Sequence, residues 1–409
     1  MKEVGRRMNQ LAKNGGVPYK QTSFPNWPVY DEREMNNLKE VVESQNWWRV
    51  TGTKVKLFEE KFAKFQGCSY CLGVTNGTSA LELALSVLGI GEGDEVIVPG
   101  MTFISTGLAV VNCDAEPVLV DIDAHTLCMI PEAFEAVITP KTKAVIPVHM
   151  AGHGCEMDKI CEIASRHGIY VIEDAAHGHG GEWKNKRLGS YGDFGIFSFQ
   201  NGKLMTCGEG GALVTNSQEF HEKARVIQDV GRPVGDKIYR HVVRGANYRM
   251  SEFQAAVLLA QMERVDSYNQ LRSKNALLLD ELLQEVGGIE SQGRVEEANI
   301  ITHYMYMFYY DKDAFGGLSR EKFVEYLNAE GVPCCVCFPV LSHTEFFENQ
   351  DFNGRHVLYK KEKEADLSNS CKVADNMIWL HHRTLEGDIE DLKDIVGAIQ
   401  KIQNVFCSK

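Results

Sequence analysis

Apolar and polar positions along the chain follow two periods, and their alternation predicts the layers of the fold. EREMNNLKEVVESQ, from residue 32, and VKLFEEKFAKFQG, from residue 55, carry apolar residues at helical spacing, the second closing on a glycine stop. TSALELALSVLGIGEGD predicts a further helix closed by a glycine-rich turn. Short β-branched runs then recur: EVIVP (95–99), PVLVDI (117–122), KAVIPV (143–148), IYVIED (169–174), FGIFSF (194–199) and GALVT (211–215). These runs are almost continuously apolar, as strands covered on both faces require, and helical segments fall between several of them. The pattern predicts an α/β layer around a mostly parallel sheet.

From Ser251 to about Val286 the chain reads as one long or broken helical stretch. Beyond it, HYMYMFYYD predicts a strand, SREKFVEYLNAEG a helix with a glycine stop, and IEDLKDIVGAIQKIQNVF a terminal amphipathic helix. The expected division is an arm over 1–30, ending in the proline-containing FPNWPVYD, a large α/β domain over 31–265, and a smaller C-terminal α+β domain over 266–409.

Composition narrows the function classes. The 409 residues, 44% hydrophobic and 24% charged, suit two or three globular domains and exclude disorder. A net charge of −13, with basic residues scattered rather than striped, supplies no field toward nucleic acid or anionic lipid. No run approaches a membrane span, and MKEVGRRMNQLAKNGG lacks the apolar core of an export signal, so the expected location is the cytoplasm. The twelve cysteines fit reduced thiols. Cys68/Cys71 and Cys334/Cys335/Cys337 could be read as metal ligands. The first pair is half a zinc site and the second cluster is too tight for a knuckle, so packed structural thiols, and no metal, are expected.

In an open α/β sheet, ligands bind beyond the carboxyl ends of the strands, and three segments put polar residues there. In VTNGTSALELAL, the Asn76-Gly77-Thr78 turn opens a helix whose first amides could hold a phosphate, although Thr78 taken alone reads more readily as a simple N-cap. In VIEDAAHGHGG, a strand ends in Glu173-Asp174, with His177 and His179 just beyond. A carboxylate there can be catalytic, bind a metal, hold a protonated heterocyclic nitrogen or merely cap the next turn. In IFSFQNGKLMTCGEGGALVT, a strand ends in Ser198 and Lys203 sits on the turn that follows. Leu204 after the lysine breaks the nucleotide-binding P-loop frame. A lysine, a carboxylate and an anion cradle at neighbouring strand ends together match pyridoxal phosphate, which needs an amine, a partner for its ring nitrogen and a seat for its phosphate.

The motifs TNGTSALELAL, PGMTFIST, PVHMAG, EDAAHGHG, FSFQNGKLMT-x-GEGGA and G-x-NYRMSEFQAAVL stand in one order along the chain. In them the sequence resembles the DegT/DnrJ/StrS family of sugar and cyclitol aminotransferases, from about Trp27 to the C-terminal helix. QNWWR, FSFQNGKLMT, HYMYMF and WLHHR are similar to its branch of aminohydroxybenzoate synthases and inosose aminotransferases. The resemblance implies the aspartate-aminotransferase-like architecture (fold type I), pyridoxal 5'-phosphate, and a homodimer with shared active sites.

It further implies that Lys203 is the Schiff-base and proton-shuttling lysine and that Asp174 pairs with the pyridine nitrogen. His177 would bond the ring hydroxyl, where the broad family often has glutamine, and Phe103 would stack on the ring. Gly77, Thr78 and Ser198 would bind phosphate, and Asn247 would reach it from the partner subunit. Some relatives carry histidine at the Lys203 position and dehydrate their substrates, so the retained lysine favours transamination.

Arg49, His149, Arg249 and Arg383 are further candidates for donor or acceptor groups, and QNWWR could instead anchor the arm or pack its tryptophans at a subunit interface. The implied reaction moves an amino group from glutamine or glutamate to a keto-sugar or keto-cyclitol. The alternatives are an aminohydroxybenzoate-type aminating and dehydrating synthase, and a cofactor-binding sensor that has lost turnover.

Overall fold

The computed structural model describes residues 10–349, 351–352, 355–356 and 366–407; the first nine residues of the expected arm lie outside them. The apolar runs form strands of one seven-stranded sheet: β1 Tyr70–Val74, β2 Glu95–Pro99, β3 Glu116–Val120, β4 Thr142–Val145, β5 Tyr170–Asp174, β6 Phe194–Ser198 and β7 Gly211–Thr215. Their order is β1-β7-β6-β5-β4-β2-β3, and only β7 runs against the others. The continuous apolar pattern has the cause read from it. Val96, Val98, Leu119, Ile172 and Ile196 pack on one face, while Ile97, Val118, Val120, Val145 and Val171 pack on the other.

Helices close both faces. Gly77–Val87 (α1) and Ser105–Asn112 (α2) carry core residues on the first, and Met157–His167 (α3) on the second. β1, with the sequence YCLGV, is the one strand of this sheet that the apolar pattern does not predict. Its only aliphatic residues are Leu72 and Val74, and Gly73 lies where a Cβ would come within 2.9 Å of the Met250 sulfur. Cys71, on this strand, packs in the core with Phe62 and Val214.

A second sheet, all antiparallel, has the order β8-β9-β11-β10, formed by Ile289–Ser291 (β8), Met305–Tyr310 (β9), Cys334–Val336 (β10) and Met377–His381 (β11). Here the period of two decides the packing. Tyr306, Phe308, Tyr310, Ile378 and Leu380 face a core shared with the helix Val265–Leu283 (α4) and the terminal helix Ile389–Cys407 (α5). Met305, Met307, Met377 and Trp379 face the other way, onto Met101, Ile122, Val148 and Met150 at the carboxyl end of the large sheet. The helical stretch after Ser251 is broken, as two helices, Glu252–Gln261 and Val265–Leu283.

The arm from residue 10 is strapped across the second sheet's helical layer. The amides of Ala12 and Tyr19 both donate to the Glu330 carboxylate at 2.8 Å, and the buried Lys20 amine donates to Asp391 at 2.5 Å. Among the described residues, no helix is long and apolar enough to cross a membrane, and no group of three or more His, Cys, Asp or Glu side chains could hold a metal ion.

Candidate active site

The carboxyl ends of β1, β2, β5 and β6 open into one cavity of about 850 Å³, roofed by Trp379 of the second sheet, by Tyr304 just before strand β9 and by Phe338. All eight residues expected at the site line it: Gly77, Thr78, Phe103, Asp174, His177, Ser198, Lys203 and Asn247.

At β1, the helix start is built for an anion, though not by the route that makes Thr78 an N-cap. Asn76 is the cap: its side chain accepts from the Ser79 amide at 2.8 Å, and Ser79 Oγ accepts from the Asn76 amide at 3.2 Å. Thr78 instead donates its hydroxyl to Ser105 Oγ at 3.0 Å. This box occupies the amides of Asn76 and Ser79, and leaves those of Gly77 and Thr78 without an intrahelical acceptor. A Cβ at position 77 would lie 2.9 Å from Ser198 Cβ, so only glycine lets the helix start approach the end of β6.

At β5, strand alternation separates the two acids. Glu173 points away from the cavity and accepts from the amides of Gly189, Tyr191 and Gly192 at 2.9, 2.6 and 2.8 Å. It also pairs with His149 Nε2 at 3.0 Å. Because the Cys155 amide donates to His149 Nδ1 at 3.1 Å, the imidazole proton sits on Nε2, toward Glu173. His149 is therefore a buried structural residue and not a substrate-binding one. Asp174 faces the cavity: Thr106 Oγ1 donates to Oδ2 at 2.9 Å, and the Ala176 amide donates to Oδ1 at 3.2 Å. The carboxylate thus caps the next turn and still lines the site.

His177 stacks on Tyr304 with ring centroids 4.2 Å apart. Burial and the nearby Lys203 amine hold it well below the usual imidazole range, so the ring is neutral; its buried Nδ1 has no hydrogen-bond partner. Lys203 Nζ lies 4.3 Å from the centroid of the Tyr304 ring. Burial lowers this amine to about 8, with Asp174 opposing the shift. Phe103 is half exposed at the mouth, 5.9 Å from Phe338. Asn247 is exposed at the rim of its own chain's cavity.

Two of the three arginine candidates are engaged elsewhere. Arg49 binds Gln228 and Glu59, and Arg249 binds Asp229 at 2.5 Å. Arg383 is not among the residues lining the cavity. The sequence reading missed Thr106, Tyr304, Phe338 and Trp379. Thr106 lies inside the same PGMTFIST motif as Phe103, whereas the three roof residues sit in apolar runs that signal only packing.

A desolvated lysine, a carboxylate at the neighbouring strand end and an anion seat at a glycine-tight helix start define a pyridoxal-phosphate enzyme of fold type I. The match to the DegT/DnrJ/EryC1/StrS aminotransferase family spans residues 28–400. The chain belongs to that family and is a pyridoxal-phosphate-dependent aminotransferase. It is 40% identical to the 3-amino-5-hydroxybenzoate synthase of Amycolatopsis mediterranei, over 90% of this chain and 94% of that one. It is 36% identical to the L-glutamine:2-deoxy-scyllo-inosose aminotransferase of Streptoalloteichus tenebrarius, over 96% and 97%. The crystal structure of a 3-amino-5-hydroxybenzoic acid synthase superposes with a TM-score of 0.88 at 38% identity, covering 95% of this chain and all of that one.

The residues present fit the cofactor: the cradle at Gly77 closes if a Cβ is added, and the unpaired His177 Nδ1 lies in the buried wall of the cavity. When bound, pyridoxal phosphate supplies an electron sink for a carbanion beside the substrate nitrogen. Only an unprotonated amine can attack a carbonyl or take a proton, and the lowered value of Lys203 makes that form far more populated near neutral pH than it is for an ordinary lysine. The rate at which cofactor-free protein takes up pyridoxal phosphate should therefore climb with pH through a midpoint at about 8. A midpoint at the ordinary lysine value of about 10.4 would show an amine in open water.

Proposed function

We propose that the enzyme transfers the amino group of glutamine or glutamate to the keto group of a cyclitol or sugar. Lys203 would hold the cofactor and move the proton, Asp174 would keep its ring nitrogen protonated, and Phe103 and His177 would hold the ring, His177 through its hydroxyl. Gly77, Thr78 and Ser198 would seat the phosphate. The observation that carries this reading is the cavity itself. Beyond the lysine and carboxylate it has an aromatic roof of Tyr304, Phe338 and Trp379 and room for a six-membered ring. The names of the inosose aminotransferases among its relatives support the same donor and acceptor classes.

A second reading, an aminating and dehydrating synthase acting on a carboxylated ring, is favoured by the 40% identity to the aminohydroxybenzoate synthase. The test loads the enzyme with cofactor, bleaches its visible band with glutamine or glutamate, and then offers keto-cyclitols, keto-sugars and carboxylated cyclic ketones. Recovery of the band with a keto-cyclitol or keto-sugar is the expected result. Recovery only with a carboxylated ring selects the synthase, and no bleaching by either donor contradicts both.

The active form is proposed to be a homodimer with shared sites. The segment leading to Asn247 exposes Val234, Ile238, Tyr239, Val242 and Val243, while Tyr30, Met35, Trp47, Trp48 and Val50 are exposed nearer the start of the chain. Apolar exposure on this scale marks an interaction surface. The test mixes two inactive variants, Lys203→Ala and Asn247→Asp. If Asn247 serves the neighbour, one site of a mixed dimer collects both lesions and the other has none, so mixing restores activity. Mixed dimers confirmed by mass yet devoid of activity would show that Asn247 acts within its own chain.

A further inference from the structure

Arg272, on α4, has no solvent exposure, and it does not line the active-site cavity. A guanidinium so placed is costly unless its donors are matched, and here its three nitrogens are matched by groups that lead on to segments carrying the site. Nε donates to the Thr302 carbonyl at 2.9 Å. The Thr302 hydroxyl in turn donates to the His177 carbonyl at 2.6 Å, and Tyr304 follows two residues on. Nη2 donates to the Asn269 side-chain oxygen, and Asn269 Nδ2 donates to the His179 carbonyl at 2.8 Å. Nη1 donates to Glu386 Oε1 at 2.7 Å, which also accepts from His382 Nδ1 at 2.9 Å. The His382 ring meets Trp27 edge-on at 4.4 Å, and Trp27 Nε1 donates to the carbonyl of Asn201 at 2.8 Å, two residues before Lys203.

We propose that Arg272 is a positioning residue for transamination: from outside the cavity it sets the placement of His177, Tyr304 and the Lys203 turn relative to one another. A buried ion pair is poor evidence for a stability role, because apolar replacements of equal volume often serve as well. Two hydrogen-bonded paths converge on the 177–179 segment, one of them through Thr302 beside Tyr304, and a third, completed by the His382–Trp27 ring contact, reaches the Lys203 turn; together they give this pair another use. Only arginine can run all three, since a lysine ammonium has neither the planar fork nor the reach of separate nitrogens. The inference rests on Lys203 being the cofactor lysine.

The test compares Arg272→Lys and Thr302→Val with the parent holoenzyme, reading kcat, KM, melting temperature and the pH titration of the bound cofactor's visible band. Thr302→Val keeps the branched shape and removes only the hydroxyl given to His177. Lys20→Met, which breaks a buried pair far along the arm, serves as the control for lost stability alone. Displacing reacting groups by an ångström can cost roughly 100-fold. Arg272→Lys should accordingly lower kcat by about that factor and Thr302→Val by about tenfold, with KM little changed and the titration midpoint moved. Lys20→Met should lower only the melting temperature.

Parent values of kcat and of the titration in Thr302→Val, or in a folded Arg272→Lys, would overturn the proposal. If Arg272→Lys does not fold, the Thr302→Val result alone decides it. Reductive tagging keeps the two readings apart: cofactor on another lysine refutes the role of Lys203, whereas a tag on Lys203 with unchanged kinetics refutes only that of Arg272.

Discussion

Lys203→Ala is expected to fold and to bind pyridoxal phosphate while losing transamination by about 10⁴-fold, the upper end of what one positioned proton-transfer group supplies. The amine lies within a cavity formed by elements that do not depend on it: the helix start at Gly77, the β5 end at Asp174 and the aromatic roof at Tyr304. In the proposed roles, its removal would take away the nucleophile and the proton carrier together, and would leave the proposed phosphate seat and ring-nitrogen partner in place. Removing a buried cation that is lowered to about 8 should not destabilise the fold, because burial already disfavours its charge. Measured side by side, the variant should show the parent's melting temperature, retained cofactor absorbance and no turnover. Turnover within tenfold of the parent would mean that another group moves the proton.

Asp174→Asn should also fold, since the amide oxygen can accept from the Ala176 amide while its NH2 donates to the Thr106 hydroxyl, which can turn from donor to acceptor. It should nevertheless lose turnover by roughly 100-fold or more. A neutral partner cannot hold the pyridinium proton, and a drop of two pKa units in that nitrogen corresponds to about 2.7 kcal/mol. The effect should fall on kcat more than on KM, because ring protonation matters most when negative charge develops on the substrate carbon. A cofactor analogue that carries a permanent positive charge on the ring nitrogen should restore part of the lost rate in this variant and add nothing to the parent. Near-normal turnover in Asp174→Asn would contradict the mechanism.

How much of this was legible in the sequence depends on whether a residue breaks its local pattern. Asp174 could be found because a charged residue closes an apolar strand, and Lys203 because it follows another such strand. Glu173 and Asp174 are equally visible as letters. Which one enters the site is fixed by strand phase, and that places Glu173 on the amides of Gly189, Tyr191 and Gly192. Asn76 hid as the cap because Thr78 has the same chemistry two residues on. β1 was missed since YCLGV lacks a β-branched run.

Tyr304, Phe338 and Trp379 look like core residues, and core they would be if the second sheet did not fold back over the strand ends. Arg272 is the least legible: a charged residue within a helix reads as solvent-facing, and only the tertiary fold reveals three buried acceptors around it. His149 erred the other way. It is a polar residue beyond a strand end whose partners turned out to be structural.

The central claim is that Lys203 carries the cofactor, and borohydride reduction of the loaded enzyme tests it most directly. The reagent fixes pyridoxal phosphate to whichever amine holds it, and peptide mapping then reads the position. The account predicts a single tagged peptide, FSFQNGKLMT, with the modification on Lys203 and none in Lys203→Ala. A tag on any other lysine, or an unchanged tag in that variant, would contradict it.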